Sequence, residues 1–374
     1  MDINNIHLTY HYQKIIEKIK SLINSQQLKP GDRIPSVEEI QKNFNVSHIT
    51  ARRVFKDLAA EGLIYNIRGK GYFVIDAKRS AGKKRCIASM VRPFRIVSYF
   101  DNYFNEINSG IQRECLSNGY DLLYPHAAVS ISESEAFMDK DASEEIIRSA
   151  MSLEDKVDGF ILDGCLADEV IRRILDNTGK PAVLVDRHLK LPIDCVHADN
   201  QKGTQAAAGM AVRMGYDHFF VLRSGNDDSN RKERGVAFLD ALHDRKIPPS
   251  NIHIVEDAYI KHWDLVHEEI MSVNTSLGDT AKILIFTSTD ALGRWLCDKL
   301  VAQKIKVGER IGLLSCQGMG YATYKKPELS TLMIDTEKMG RMAVNVLLDR
   351  IKNNSINNPM SHVVEVTLMM GQTI

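Results

Sequence analysis

The chain of 374 residues contains no run of about 18 consecutive apolar residues, which argues against a membrane-spanning helix. Its first residues lack the basic-then-apolar pattern and the small-residue cleavage site of a secretory signal, so we expect a cytoplasmic protein. The six cysteines are scattered without a Cys-x-x-Cys spacing, which argues against a disulfide framework and against a zinc site. We therefore expect reduced thiols, no bound metal and no cofactor.

The sequence also lacks the short motifs on which common catalytic sites are built. It has no G-x-S-x-G nucleophile elbow, no Walker loop, no H-E-x-x-H motif and no G-x-G-x-x-G after a predicted strand. His188 and His197 lie near Asp186 and Asp199, but exposed or internally bonded histidines are more common than a catalytic cluster of this kind. We therefore predict that the chain is not an enzyme.

The absence of net charge at pH 7 conceals an uneven distribution of charge along the chain. Residues 1–85 carry 16 lysines and arginines against 8 acidic residues, whereas the remaining 289 residues carry 32 against 40. A basic segment attached to a larger acidic body indicates that the segment contacts a polyanion such as nucleic acid. The charge alone is also compatible with ordinary variation of surface charge along a chain.

Residues 8–75 predict three helices followed by a β-hairpin, which is the element order of a winged helix-turn-helix. Apolar residues at helical spacing predict the first helix over residues 8–24. Ser36 with Glu39 predicts a capping box that opens the second helix, and Ser47 predicts the cap of the third. Two short runs rich in β-branched and aromatic residues, 63–67 and 71–75, predict the hairpin.

Residues 76–85 contain no apolar side chain larger than alanine, which predicts a solvated linker between two domains. Beyond it, from Ile87–Val91 to Ile311–Ser315, short apolar runs alternate with amphipathic helices. Such alternation predicts parallel sheets covered by helices, and the length favours two α/β lobes with a cleft between them. We thus predict an N-terminal domain over 1–75, a linker over 76–85 and a two-lobed α/β domain over 86–374.

The N-terminal motifs resemble the winged-helix domain of the GntR family of bacterial regulators. The chain departs from the family pattern at Gln27, where glycine is common, and at His48, where arginine is usual. The segments that carry the resemblance are Pro30-Gly31-Asp32-Arg33-Ile34-Pro35-Ser36, Val46-Ser47-His48-Ile49-Thr50-Ala51-Arg52-Arg53 and Gly69-Lys70-Gly71-Tyr72-Phe73-Val74.

The resemblance implies that the third helix enters the major groove of operator DNA, while the wing and the helix N-termini contact the phosphate backbone. Arginines supply bidentate contacts to guanine or to phosphate. An alternative is that the two serines act only as helix caps and that Arg52 and Arg53 form a solvated face. The candidate DNA-binding residues are Arg33, Ser36, Ser47, His48, Thr50, Arg52, Arg53, Arg68, Gly69, Lys70 and Gly71.

The larger domain resembles the effector-binding domain of LacI/GalR-type regulators, which shares its fold with periplasmic sugar-binding proteins. A GntR-type head on such a body resembles the hybrid regulators of the arabinose-repressor type. The stretches that carry the resemblance include Val157–Leu162, Pro181–Arg187, Asp199-Asn200, Gly215–His218, Phe286–Gly293 and Pro327–Leu332.

In domains of this kind the ligand lies in the cleft between the lobes, at the carboxyl ends of strands. Arg234 takes the place of the family's effector-binding arginine, although Arg231 competes for this role if the alignment shifts by one turn. Phe104 is a candidate either for stacking on the ligand or for core packing. Gln317 stands where the family commonly has an acidic residue. The candidate effector-binding residues are Tyr99, Phe104, Asp186, Asp199, Arg234, Asp290 and Gln317.

Taken together, the two resemblances imply a homodimeric transcription regulator that binds double-stranded operator DNA and a small-molecule effector. We expect a repressor of carbohydrate-utilisation genes whose operator affinity is controlled by a monosaccharide. A regulator that senses a purine or an amino acid is the first alternative. A sugar-binding transport protein is the second, which the basic head and the missing signal disfavour. The sequence does not determine whether the effector weakens or strengthens DNA binding.

Overall fold

The computed structural model describes residues 3–25, 27–29, 31–60, 63–67, 71–74, 85–92, 102–125, 140–223, 229–256, 258, 262–353 and 359–374. The chain divides into two compact units, residues 1–84 and residues 85–374. In the part of the chain that the structure describes, no helix is both long enough and apolar enough to cross a membrane. The predicted linker falls on residues that, apart from Arg85, lie outside those described.

The N-terminal unit is a winged helix-turn-helix, as predicted. Its hydrophobic core is formed where the third helix packs on the first two and on the second strand, with Ile15, Ile40 and Phe55 at its centre. The two strands are antiparallel and pair Ile64 with Val74. The elements are α1 (Ile3–Asn24), α2 (Val37–Phe44), α3 (His48–Ala60), β1 (Ile64–Ile67) and β2 (Gly71–Val74).

Local hydrogen bonds define where the second and third helices begin. The Ser36 hydroxyl oxygen accepts from the Glu39 N–H at 3.2 Å, and the Glu39 carboxylate accepts from the Ser36 N–H at 2.6 Å. This reciprocal pair is the predicted capping box. The Ser47 hydroxyl oxygen accepts from the Thr50 N–H at 3.1 Å, which confirms the predicted cap of the third helix.

The C-terminal unit alternates strands and helices. Its first part contains β3 (Cys86–Met90), α4 (Tyr103–Ser117), β4 (Asp121–Leu123), α5 (Lys140–Met151), β5 (Gly159–Asp163), α6 (Asp168–Thr178), β6 (Ala182–Val185) and β7 (Asp194–Ala198). Its second part contains α7 (Asn200–Arg213), β8 (His218–Leu222), α8 (Ser229–Asp244), β9 (Ile252–Val255), α9 (Trp263–Leu277), β10 (Ile283–Phe286), α10 (Asp290–Ala302), β11 (Ile311–Gln317), α11 (Gly320–Thr323) and β12 (Ser330–Ile334). The chain then forms α12 (Thr336–Asn353), β13 (Ser361–Val364) and β14 (Val366–Met369).

These strands form two six-stranded sheets, one in each lobe, which confirms the predicted two-lobed α/β fold. The first sheet has the order β13-β7-β6-β5-β3-β4 and is parallel throughout. The second has the order β14-β12-β11-β10-β8-β9 and is parallel except where β14 joins β12. Every residue of β3, β5 and β6 is buried, as expected when helices cover both faces of a parallel sheet.

The chain passes between the lobes three times. It leaves the first sheet after β7 through Asp199, returns after β12 through Asp335, and leaves again between β13 and β14 through Glu365. Helix α12 therefore packs in the first lobe, beside α4, although it follows a strand of the second. Three neighbouring connections of this kind form a hinge about which two lobes can move.

Helices α4 and α12 cross in backbone contact through two glycines. A Cβ atom on Gly110 would lie 2.1 Å from the Glu337 carbonyl oxygen, and one on Gly340 would lie 2.1 Å from the Ile107 carbonyl oxygen. Any side chain at either position would force the helices apart. The two glycines thus determine how closely α4 packs against α12, the helix that follows the second hinge connection.

Candidate functional site

Helix α3 has one face in the core of the N-terminal unit and the opposite face in solvent. Val54, Phe55 and Leu58 are fully buried. The exposed face carries His48, Ile49, Arg52, Arg53 and Lys56. A helix that presents cations and a small number of other side chains outward from a winged helix-turn-helix has the geometry that enters a DNA major groove.

Arg33 and Gly71 meet at the base of the wing. Arg33 forms an isolated antiparallel bridge with Phe73, and its exposed side chain runs alongside Gly71. Gly71 has a φ of +105°, and a Cβ atom there would lie 3.1 Å from the Arg33 Nε atom. The positive φ favours glycine at this position, and the absence of a side chain there leaves room for Arg33 beside the first residue of β2.

The remaining predicted DNA contacts differ in their surroundings. The guanidinium of Arg53 lies 5.1 Å from the centre of the Tyr12 ring on α1, whereas Arg52 projects into solvent. Ser36 and Ser47 act as helix caps, and a phosphate contact from either remains a prediction. Arg68, Gly69 and Lys70 lie outside the described residues.

In the body, polar side chains from both lobes meet around Asp186, which follows strand β6 of the first lobe. The Tyr103 hydroxyl, at the start of α4, donates to Asp186 Oδ1 at 2.7 Å. The Asn230 amide, on α8 of the second lobe, donates to the Asp186 carbonyl oxygen at 2.6 Å. Asp186 has a φ of 69°, an uncommon conformation for a residue other than glycine. Predicted site residue Asp186 is therefore a point at which the two lobes are joined.

Arg234, on the same helix as Asn230, is buried at 3% exposure. Its Nε donates to Asn200 Oδ1 at 2.9 Å and its Nη1 donates to the Ser288 carbonyl oxygen at 3.0 Å. The Asn200 amide in turn donates to Glu233 Oε2 at 2.9 Å. These bonds hold the guanidinium beside the hinge at the end of β10. The prediction that Arg234 faces the cleft is compatible with this placement, and its contact with an effector remains a prediction.

Charge in this network keeps Tyr103 a hydrogen-bond donor. Burial, together with the neighbouring Asp186 carboxylate, raises the pKa of Tyr103 well above its usual value, and the guanidinium of Arg234 opposes this only partly. The phenol therefore remains neutral, and its hydroxyl donates a hydrogen bond to the carboxylate of Asp186. Donor and acceptor roles are thus fixed where a polyhydroxylated ligand would need both.

The side chains beside Arg234 pack so closely that only a narrow gap remains between them in this conformation. The gap is too small to hold a small-molecule ligand, for which pockets of roughly 300 Å³ or more are typical. The lining residues are Asn200, Thr204, Arg234, Cys316, Leu332, Ile334 and Val366.

Asp290, predicted to lie at the cleft-facing end of a strand, is fully buried. Its carboxylate accepts hydrogen bonds from the Ser315 hydroxyl at 2.5 Å, the Thr331 hydroxyl at 2.6 Å and the Met319 N–H at 2.6 Å. Burial raises its pKa to about 6 against the effect of these bonds. Asp290 therefore ties α10 to β11 and β12, and in this conformation no face of it is open to a ligand.

The predicted aromatic residue Phe104 is half-buried and carries a cation on its ring. The Arg92 guanidinium lies 3.8 Å from the ring centre, and Arg92 Nε donates to Asp163 Oδ2 at 2.9 Å. One face of the ring is therefore covered by Arg92 in this conformation. Tyr99, the other predicted aromatic contact, lies outside the described residues.

Asp199 and Gln317 lie at the boundaries of elements. The Asp199 carboxylate accepts from the Lys202 N–H at 3.2 Å and caps α7, while its own N–H donates to the Val364 carbonyl oxygen at 2.9 Å. It thereby fastens two of the three hinge connections to each other. Gln317 ends β11 with a φ of 115° and is half-buried. Effector contacts by either residue remain predictions.

Three members of the network were not identified from the sequence, namely Asn230, Glu233 and Ser288. Asn230 lies four residues before Arg234, on the same face of one helix, and this spacing was the signal that could have found it. Ser288 contributes its backbone carbonyl, which no side-chain pattern reveals.

The histidine cluster considered for catalysis is internally bonded. His197 Nε2 lies 2.7 Å from the Ser361 hydroxyl and Nδ1 lies 3.0 Å from the Ala198 carbonyl oxygen. Burial lowers the pKa of His197, so the neutral ring is favoured. Among the described residues, no group of three or more histidine, cysteine or acidic side chains is arranged to hold a metal ion.

Two family models match the chain, one in each unit. Residues 11–74 match the gntR family of bacterial regulatory proteins, and residues 208–374 match the periplasmic binding protein-like domain. The first match covers all of the elements of the winged helix beyond the first turns of α1. The second begins within α7, so it covers the second lobe and the returning segments of the hinge.

Curated relatives extend the comparison beyond the two family models. The arabinose metabolism transcriptional repressor of Geobacillus stearothermophilus is 23% identical over 356 residues, which cover 92% of each chain. The HTH-type transcriptional repressor PurR of Aliivibrio fischeri is 22% identical over 272 residues, which cover 72% of this chain and 77% of PurR.

A solved structure described as a transcriptional regulator CelR–cellobiose complex shares the fold with a TM-score of 0.62 at 18% identity. The match covers 91% of this chain and 100% of the other. The matched family in the N-terminal unit is one of regulatory proteins, in agreement with the prediction that the chain is not an enzyme. The chain is therefore a DNA-binding transcription regulator that joins a winged-helix domain of the GntR family to a periplasmic-binding-protein-like body.

Proposed function

We propose that the body binds a small sugar between its lobes and that the sugar controls the affinity of the winged helix for an operator of carbohydrate-utilisation genes. The observation that carries this proposal is the polar network in which Asp186 and Tyr103 of the first lobe meet Asn230 and Arg234 of the second. The network lies where β6 and β10 end, which is the edge at which ligands bind in parallel α/β sheets. The names of the arabinose repressor and of the cellobiose complex support a sugar as the ligand.

The chemistry of the network suits a polyhydroxylated ligand. The Asp186 carboxylate accepts hydrogen bonds, the Arg234 guanidinium donates them, and the amides of Asn200 and Asn230 do both. Phe104 offers an aromatic surface if Arg92 moves from its ring. We propose Asp199, Gln317 and Tyr99 as further contacts, and we assign Asp290 a contact only in a conformation that releases its present bonds.

The sugar competes with the bonds that join the lobes in the structure. A ligand that takes over the bond between Asn230 and Asp186 replaces a direct contact between the lobes with a contact through itself, and so favours a different lobe angle. Only this difference in affinity for the two angles can shift the population between them. Because three connections cross the hinge, a change of lobe angle also alters where the first strand of the body lies relative to the second lobe, and hence the point at which the linker joins the body.

We further propose that the regulator is cytoplasmic, acts as a repressor and binds a pseudo-palindromic operator as a homodimer. Two winged helices on one dimer contact two half-sites, and the symmetry of the operator follows from that of the protein. Both of the named relatives are transcriptional repressors, which supports repression as the mode of action.

The test is a thermal-shift screen of the full chain against pentoses, hexoses, disaccharides, sugar phosphates and purines. A ligand that binds only the folded state raises the melting temperature. At a ligand concentration of 100 times Kd, it adds about 2.7 kcal/mol to the free energy of unfolding. A sugar that raises the melting temperature and also changes DNA affinity in a gel-shift assay supports the proposal. A response to purines alone would favour the alternative suggested by the similarity to PurR and would overturn the sugar assignment.

Arg234→Ala tests the location of the site, with Arg231→Ala as the matched control on the same helix. We expect Arg234→Ala to weaken the affinity for the sugar at least tenfold, because removal of a buried donor leaves ligand hydroxyls unpaired. The shift in melting temperature at a given sugar concentration should be correspondingly smaller. Arg231→Ala should retain the shift, and DNA binding without sugar should persist in both variants. The reverse order of effects would place the site one turn earlier on α8.

A further inference from the structure

The side chain of Ile49 on α3 is 80% exposed, the highest value among the large hydrophobic side chains that are exposed in the described residues. Single exposed apolar side chains are common on protein surfaces and usually need no explanation. The position of this one is specific, because it follows the Ser47 cap by two residues and lies in the first turn of the helix. The first turn of this helix is the part that reaches base edges in helix-turn-helix proteins.

Ile49 belongs to the same stripe of the helix as the cations. Arg52, Arg53 and Lys56 follow it by three, four and seven residues, which is the spacing of side chains on one helix face. The core of the unit takes its side chains from the opposite face, through Val54 and Phe55. Ile49 therefore cannot be a core residue left exposed, and the stripe is basic with one branched apolar side chain at its leading end.

The flanking arginines determine what this side chain can contact. A surface with this density of positive charge is complementary to a polyanion, and desolvating it against an apolar protein partner would be costly. In the major groove the C5-methyl group of thymine is the apolar feature of the base edges, and aliphatic side chains contact it. We propose that Ile49 contacts a thymine methyl group in each operator half-site and so determines the preference for thymine at that position.

Replacement of thymine by deoxyuridine tests the proposal, because it removes only the methyl group. Operator sequences are first selected from random double-stranded DNA with the full chain, and each thymine of the selected duplex is then replaced in turn. We expect one position per half-site at which the replacement weakens binding by about three- to fivefold, the effect of one buried methyl group. Ile49→Ala should weaken binding to the thymine duplex and should be insensitive to deoxyuridine at that position.

Arg52→Ala is the matched control on the same stripe. It should weaken binding and retain the response to deoxyuridine, because it removes charge and leaves the apolar contact. Circular dichroism verifies that each variant is folded. Additive effects of Ile49→Ala and deoxyuridine, or the absence of any sensitive thymine, would overturn the proposal. Failure of the wild-type chain to select any sequence would instead overturn specific DNA recognition, and the assignment of Ile49 with it.

Discussion

The side-chain amide of Asn230 and the backbone carbonyl of Asp186 form a 2.6 Å hydrogen bond that connects the second lobe of the body to the first. The carbonyl points toward the second lobe because Asp186 has left-handed backbone geometry, with a φ of 69°. The same residue receives the Tyr103 hydroxyl on its carboxylate. Asp186 is therefore bonded to both lobes through two different groups, and each bond can be removed separately.

Asn230→Ala is expected to loosen the contact between the lobes. The variant loses the bond to Asp186 and also a 3.1 Å bond that Asn230 accepts from the Asn200 amide, and each lost bond costs about 1 kcal/mol of unfolding free energy. The distinctive result is faster amide hydrogen exchange at Asp186 and in the hinge connection at Asp199, measured by mass spectrometry. Asn251→Ala is the control, because Asn251 makes a similar 2.9 Å bond to the Asp217 carbonyl oxygen within the second lobe. Equal exchange at the hinge in the two variants would contradict a lobe-joining role for Asn230.

Tyr103→Phe removes the other bond to Asp186 while keeping the ring in the core. A hydrogen bond to a charged group contributes roughly 1.5–3 kcal/mol, so the free energy of unfolding in urea should fall by that amount at pH 7. Asp186→Asn should destabilise the chain as well. The double variant should lose less unfolding free energy than the sum of the losses in the two single variants, because both substitutions remove the same interaction. Strict additivity would mean that the bond contributes nothing.

Much of the fold could be predicted from the sequence because its signals are local. The capping box of Ser36 and Glu39 lies within four residues, and the buried strands of the first lobe are short apolar runs between amphipathic helices. Strand β7 does not stand out as a short apolar run in the sequence, because Asp194 and His197 interrupt its apolar pattern. Their polar atoms are bonded by Arg350 and Ser361, which lie 156 and 164 residues further along the chain.

The candidate site was predictable only in part, for a related reason. Arg234 could be selected by its position in a motif, but its partners Asn200 and Ser288 come from two other elements. Asp290 follows a strand, as a ligand-binding residue should, yet folding brings hydroxyls of Ser315 and Thr331 onto its carboxylate. Tertiary packing determines which of these groups is already occupied, and no periodicity in the sequence carries that information.

Gly110→Ala and Gly340→Ala are expected to destabilise the body by about 1–3 kcal/mol each, the range for overpacking a close contact. Either methyl group would lie 2.1 Å from a backbone oxygen of the facing helix. Gly235→Ala on α8 is the control, because its methyl group would meet only the Arg223 side chain at 3.4 Å. Better helix propensity should stabilise that variant by up to about 1 kcal/mol. Thermal unfolding measures all three, and a neutral Gly340→Ala would show that the helices can separate without cost.

The bond between Asp194 and Arg350 predicts a specific sensitivity to acid. Arg350 donates to the Asp194 carboxylate through Nε at 2.5 Å and Nη2 at 2.8 Å, and the Met360 N–H adds a third bond at 2.8 Å. Burial alone would raise the pKa of Asp194, but these bonds outweigh it and hold the pKa below its usual value. The folded state therefore binds this proton less readily than the unfolded chain, and stability from the bond is present above about pH 4 and lost as the pH falls further.

Asp194→Asn should accordingly cost about 2 kcal/mol of unfolding free energy at pH 7, the contribution of a hydrogen bond to a charged group. The difference from wild type should shrink as the pH falls below about 4, because the wild-type carboxyl is then protonated as well. Asp168→Asn is the control: its bond to Arg187 has similar length, at 2.6 Å, but Asp168 is 59% exposed. An exposed pair contributes less than about 1 kcal/mol, so this variant should follow wild type at every pH. Urea unfolding between pH 3 and pH 7 distinguishes the two, and a constant difference for Asp194→Asn across that range would show that its charge does not stabilise the lobe.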